Sequence, residues 1–138
     1  MGVLYTAEAA SSGDGRSGSV HSSDGVLSLA LTPPKELGGA GTGANPEQLF
    51  AAGYAACFHS ALRLAARERG VRLAGDVVTA RVHLERDGSG YGISADLEVS
   101  LPGLDRETGV ALAEAAHGRC PYSRAVRGNV RVGVRVLP

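Results

Sequence analysis

Apolar and polar positions divide the chain into stretches of different period. Residues 3–9, "VLYTAEA", read as a short first strand, and "SSGDG" from Ser11 to Gly15 is turn chemistry. "RSGSVHS" at 16–22 and "GVLSLAL" at 25–31 flank Asp24-Gly25, a hairpin signal. "TPPKELGGAGTGANPEQ" carries two prolines and several glycines and reads as a loop long enough to serve a function. A helix then starts at Asn45-Pro46-Glu47, with Asn as cap, Pro at the first helical position and Glu in the first turn. It is expected to run from 46 to about 69 and stop at Gly70. "DVVTARVHLERD" at 76–87 and "YGISADLEVSL" at 91–101 alternate and form a second hairpin through "GSG". "DRETGVALAEAAHGRC" at 105–120 is an amphipathic helix, Pro121 opens a further helical turn, and "NVRVGVRVL" at 129–137 closes as a strand. Strands and helices are segregated, so the fold class is α+β, in one domain over 1–138.

The middle of the long helix, "LFAAGYAACFHSALRLAA", is apolar on nearly every side. Such a helix is covered all round. In so small a domain, a second copy of the chain is the simplest cover.

Charge narrows the partners. With 14 basic and 14 acidic residues the formal net charge is zero, which argues against nucleic acid or an anionic membrane surface. No charge-free apolar tract of about 18 residues predicts a membrane span, and the N-terminus lacks the pattern of a signal peptide. The expected location is the cytoplasm, where the two cysteines would not form a permanent structural bridge.

Those cysteines are the candidate chemistry. Cys57 lies within "YAACFHSAL", with Gly53, Tyr54, Ser60 and Ala61 one turn away. Gly53 and Ala61 suggest open space beside the sulfur, and Tyr54 and Ser60 offer hydroxyls. Cys120 lies in "HGRCPYSRA", between His117 and Pro121, where the chain bends. Cysteine also packs as a small hydrophobe, so either could be plain core. A reactive Cys57 needs help to ionise. It lies about 11 residues into its helix, roughly 16 Å from the N-terminus, beyond the reach of the helix dipole. A cation must come from elsewhere, and Arg16, after the "SSGDG" turn, is the candidate, with Glu47 as the carboxylate it needs. On the sequence alone, a solvated residue at a strand end is the favoured reading of Arg16.

"NPEQLFAAGYAACFHSAL" with "HGRCPYSRA", and the N-terminal "DGRSG" and "ELGG", resembles the organic hydroperoxide resistance group of thiol peroxidases, within the osmotically inducible protein family. The likeness spans almost the whole chain; Ala44 stands where that family usually has threonine. The resemblance implies that Cys57 is the peroxidatic cysteine and Cys120 the resolving one, that Arg16 and Glu47 stabilise the thiolate, and that a lipoylated protein is the reducing dithiol. It implies an intertwined homodimer, with two long helices packed back to back between antiparallel sheets. Phe50, Phe58 and Tyr122 are candidates to hold an alkyl chain, or are ordinary core. No metal or other cofactor is expected. Three rival readings are zinc bound by Cys57, Cys120, His117 and His59, a cysteine hydrolase using His117 or His59, and a redox-inert dimer with an apolar pocket. His21 and His83 are expected on strand surfaces.

Overall fold

The computed structural model describes residues 2–138. The chain forms two compact units, Met1–Leu49 and Phe50–Pro138.

In the first unit, β1 (Ala9–Ser12), β2 (Ser19–Ser22) and β3 (Ser28–Ala30) make a three-stranded antiparallel sheet in the order β1-β2-β3. The first strand therefore differs from the expectation over 3–9. Val3, Leu4 and Tyr5 are exposed and form no strand. Pairing starts only where Ala9 meets Ser22. The strand expected to begin at Arg16 begins instead at Ser19, and Arg16 sits on a single 3-10 turn, Gly15–Ser17. Gly13 and Gly15 both have positive φ, 78° and 62°, which lets this tight turn form. The long loop folds back on the sheet, with Ala44 donating to Ala30 and accepting from Thr32 at 3.0 Å each.

Helix α1 (Pro46–Glu68) begins as the sequence indicates: the Gln48 N–H donates to the Asn45 side-chain oxygen at 2.9 Å. Gly70, at φ 67°, follows its end. By length and composition α1 could cross a membrane. However, Tyr54, Phe58, Ala61, Leu62, Ala65 and Ala66 are buried in the core of the second unit.

That unit's sheet is built from β4 (Val77–Asp87), β5 (Gly90–Ser100) and β6 (Val132–Val136), in the order β4-β5-β6. The alternation of β4 turns Val78, Ala80 and Val82 to one face, where they pack against the core. β5 buries Ala95, Leu97 and Val99. β4 and β5 pair antiparallel over all 11 residues of each. β6 pairs parallel to β5, so this sheet is mixed rather than antiparallel as expected. A parallel return needs a crossover. It is made by α2 (Arg106–Arg119) and α3 (Pro121–Val126). Asp105 caps α2 by accepting from the Thr108 N–H at 3.0 Å, and Leu112 and Ala116 complete the core.

Candidate active site

Cys120 ends α2 and starts α3. Its N–H donates to the Ala116 carbonyl at 2.8 Å, and its own carbonyl accepts from Arg124 at 2.9 Å. Pro121 follows at the first position of α3, where the missing N–H costs nothing. The bend between the helices sets the Cys120 thiol, fully buried, within hydrogen-bonding reach of the half-buried Cys57 thiol on α1. Both thiols are free.

Burial pushes the Cys57 thiol above its ordinary value. The Tyr122 backbone N–H, at the start of α3, opposes this by donating to the sulfur. The neighbouring Cys120 thiol raises it further. A net raised thiol makes a poor nucleophile at neutral pH, so the surroundings that act on Cys57 here leave it protonated.

The room expected beside Gly53 is occupied. A Cβ at Gly53 would run into the Tyr122 hydroxyl and lie 3.0 Å from its ring carbon. Glycine at this helical position is therefore what lets the Tyr122 ring lie against α1. Tyr122 is 37% exposed and forms an aromatic group with half-buried Phe50, at 5.9 Å between ring centroids, and buried Tyr54, at 5.7 Å. Phe58 is fully buried and packs against the His117 ring at 6.4 Å. Ser60 is exposed, and the Tyr54 hydroxyl is engaged with Ser123 at 2.8 Å. The Tyr54 hydroxyl that the sequence offers to the sulfur is thus already paired.

In the first unit, Arg16 grips Glu47 with both guanidinium arms, Nη1 to Oε1 at 2.7 Å and Nη2 to Oε2 at 3.0 Å. The forked geometry is the strong form of this pair. The hydrogen bond from Arg16 holds the Glu47 carboxyl below its ordinary value, and Glu47 in turn holds Arg16 above its own. The Glu47 side chain is 17% exposed and Arg16 45%.

The remaining candidates are occupied elsewhere. His59 pairs with Asp76 at 2.6 Å, and His117 Nδ1 meets Ser123 at 2.8 Å. Among the described residues no three His, Cys, Asp or Glu side chains are grouped as a metal site. His21 and His83 are exposed on β2 and β4. Sequence reasoning overlooked Ser123; its signal was its place one turn after Cys120.

The fold and this pair of adjacent thiols define a small α+β protein with two cysteines on helices of one unit. Residues 39–135 match the family described as OsmC-like protein, and the chain belongs to that family. It is 47% identical over 132 residues to the organic hydroperoxide resistance protein of Xanthomonas axonopodis pv. citri, covering 94% of this chain and 92% of that one. It is 45% identical to the organic hydroperoxide resistance protein OhrB of Bacillus subtilis, covering 94% and 96%. Among solved structures it is similar to the organic hydroperoxide resistance protein of Legionella pneumophila, with a TM-score of 0.93 and 44% identity over 99% of this chain and 100% of that one. The OhrB structure from Bacillus subtilis matches with a TM-score of 0.89 and 43% identity, covering 98% and 100%.

Proposed function

We propose that this chain is a cysteine-based peroxidase that reduces organic hydroperoxides to alcohols. The observation that carries the reading is the contact between the Cys57 and Cys120 thiols, with the Tyr122 N–H on the Cys57 sulfur. The names of relatives at 45–47% identity support the substrate class.

In this reading the Cys57 thiolate attacks the distal oxygen of ROOH. The O–O bond breaks, the alcohol leaves, and Cys57 becomes a sulfenic acid. Cys120 condenses with it, water is lost, and a disulfide forms. A dithiol, a lipoylated protein by family resemblance, reduces the disulfide and is itself oxidised. Arg16, held by Glu47, supplies the cation that Cys57 needs, because burial otherwise keeps the thiol protonated. Phe50 and Tyr122 contact the alkyl group, with Phe58 behind them. The working form is a homodimer in the reducing cytoplasm, needing no metal or other cofactor.

The test is consumption of an alkyl hydroperoxide against hydrogen peroxide, with dihydrolipoamide and then thioredoxin as reductant. The expected outcome is faster turnover of the alkyl hydroperoxide, sustained by dihydrolipoamide and lost in Cys57→Ser. Turnover that survives Cys57→Ser rejects the mechanism.

A further inference from the structure

Helix α3 has only six residues, too few to hold a helix without packing. Its single buried residue is Ser123, a small side chain with little apolar area to contribute. What it contributes is a hydroxyl. Ser123 Oγ lies 2.8 Å from Tyr54 Oη on α1 and 2.8 Å from His117 Nδ1 on α2. Among the described residues, no other side-chain to side-chain hydrogen bond ties α3 to either helix. Tyr54 and Ser123 are fully buried, and His117 is half-buried. A hydroxyl donates once and accepts as well. With His117 neutral and protonated on Nε2, Tyr54 donates to Ser123 and Ser123 donates to Nδ1.

The residue carried by this clasp is its neighbour, Tyr122. The Tyr122 N–H donates to the Cys57 sulfur. Its ring lies against Gly53, one turn before Cys57, with the Tyr54 ring at 5.7 Å and the Phe50 ring at 5.9 Å. Tyr122 is nevertheless 37% exposed, so burial alone does not fix it. We propose that Ser123 is a positioning residue whose hydroxyl, clasped between Tyr54 and His117, holds Tyr122 in place on Cys57. This inference deepens the peroxidase reading above and rests on it. Ser123 acts through its neighbour and not on the reacting atoms.

The clasp matters because it is buried. Deleting the hydroxyl leaves the Tyr54 Oη unpaired in the core, which is costly. A shift of α3 to relieve that cost carries the Tyr122 N–H off the sulfur. That N–H favours the thiolate, whereas burial first, and then Cys120, raise the Cys57 thiol. Its loss therefore makes Cys57 harder to ionise. In its own unit the titratable groups about Cys57 are Cys120, at the junction of α2 and α3, and Tyr54 on α1. β5 gives that core only Ala95, Leu97, Val99 and, at its edge, no charge. Around His117 stand Arg106 and Glu114 from α2, Val134 and Val136 from β6, and the Phe58 ring from α1. Arg127 donates to the His117 carbonyl at 3.0 Å. Burial first, and then Arg127, hold His117 below its ordinary 6.5, so the clasp keeps one polarity at neutral pH.

The experiment reads Cys57 directly. Reduced protein is alkylated with iodoacetamide from about pH 6 to 10, and adducts on Cys57 are counted by mass. Ser123→Ala and Tyr54→Phe each open the clasp. Each is expected to move the profile upward and to slow alkylation at neutral pH by about threefold to tenfold, as for a lost hydrogen bond to a charged group. The double variant is expected to go no further than Ser123→Ala, which already breaks the bond that Tyr54→Phe removes. Leu97→Ala opens a cavity in the same core and is expected to lower stability without moving the profile. If Ser123→Ala fails to fold, Tyr54→Phe carries the test. An unmoved profile in Tyr54→Phe, additive shifts in the double variant, or an equal shift in Leu97→Ala overturns the inference. None of these readouts needs a peroxide, so the inference and the reading beneath it fail separately. A wild type that consumes no tert-butyl hydroperoxide overturns the peroxidase reading, and with it the part of the clasp in that reaction.

Discussion

Gly53 is the position where two residue-scale effects oppose each other. In a helix interior, alanine is favoured over glycine by about 1 kcal/mol. Here the added methyl would meet the Tyr122 ring. Tyr122 cannot move far without moving its own N–H, which donates to the Cys57 sulfur. Gly53→Ala is therefore expected to leave thermal stability within about 1 kcal/mol of the wild type, while raising the Cys57 thiol and slowing its alkylation by iodoacetamide. Unchanged alkylation would show that α3 gives way without disturbing the sulfur. Arg16 is a second case. In the proposed mechanism its cation favours the thiolate, so Arg16→Ala raises the Cys57 thiol further and moves the pH profile of alkylation upward. The expected loss of rate at neutral pH is on the order of tenfold. Glu47→Gln frees the guanidinium from its forked partner and is expected to act in the same direction but less. A profile that does not move in Arg16→Ala would remove Arg16 from the site.

At the scale of elements, the C-terminal half of α1 is tied to the start of β4. Arg63 donates to Asp76 through Nε at 2.9 Å and Nη2 at 2.6 Å, and His59 joins at 2.6 Å. The Asp76 side chain is only 2% exposed. Arg63 first, against burial, and then His59 hold its carboxyl well below the ordinary 3.8. Asp76→Asn is expected to cost about 1.5–3 kcal/mol in urea unfolding at neutral pH. The pH dependence has a definite sign. Below 3.8 the unfolded chain binds a proton that folded Asp76 resists, so stability fully present above that pH is lost progressively as pH falls from there toward the lower folded value. The variant should lack that part of the acid slope. None of this tie was anticipated from the sequence, because period and propensity report which face a residue takes, not which partner it meets. The same limit explains β6: its alternation made it a strand, but its parallel pairing with β5 depends on the crossover. Val3, Leu4 and Tyr5 are apolar enough for a strand, yet have no partner strand among the described residues. The start of α1, the β4–β5 hairpin and the Cys120-Pro121 bend were legible, since each rests on local chemistry: a cap, a two-residue alternation, a missing N–H. The adjacency of the two thiols was not local and came only from family resemblance.

For the whole molecule, the face of α1 carrying Ala52, Ala56 and Ser60 is exposed in the single chain. In the proposed homodimer a second copy covers it. Ala56→Glu is nearly neutral for an isolated chain, but would place a charge in that interface. The expected result in light scattering is loss of dimer mass with an unchanged far-ultraviolet spectrum. A dimer that persists would move the interface elsewhere. One further consequence follows from the crossover. Cys57 lies on an early helix, whereas Cys120 comes late in the chain, at the junction of α2 and α3. Such long-range pairing is slow compared with helix formation. During synthesis, then, Cys57 emerges before its partner can stand beside it. In the proposed mechanism, a chain oxidised in that interval has no neighbouring thiol to rescue the sulfenic acid and can proceed to the irreversible sulfinic state. In that mechanism the molecule's own resistance to oxidant is a property of its age, acquired when Cys120 comes to stand beside Cys57.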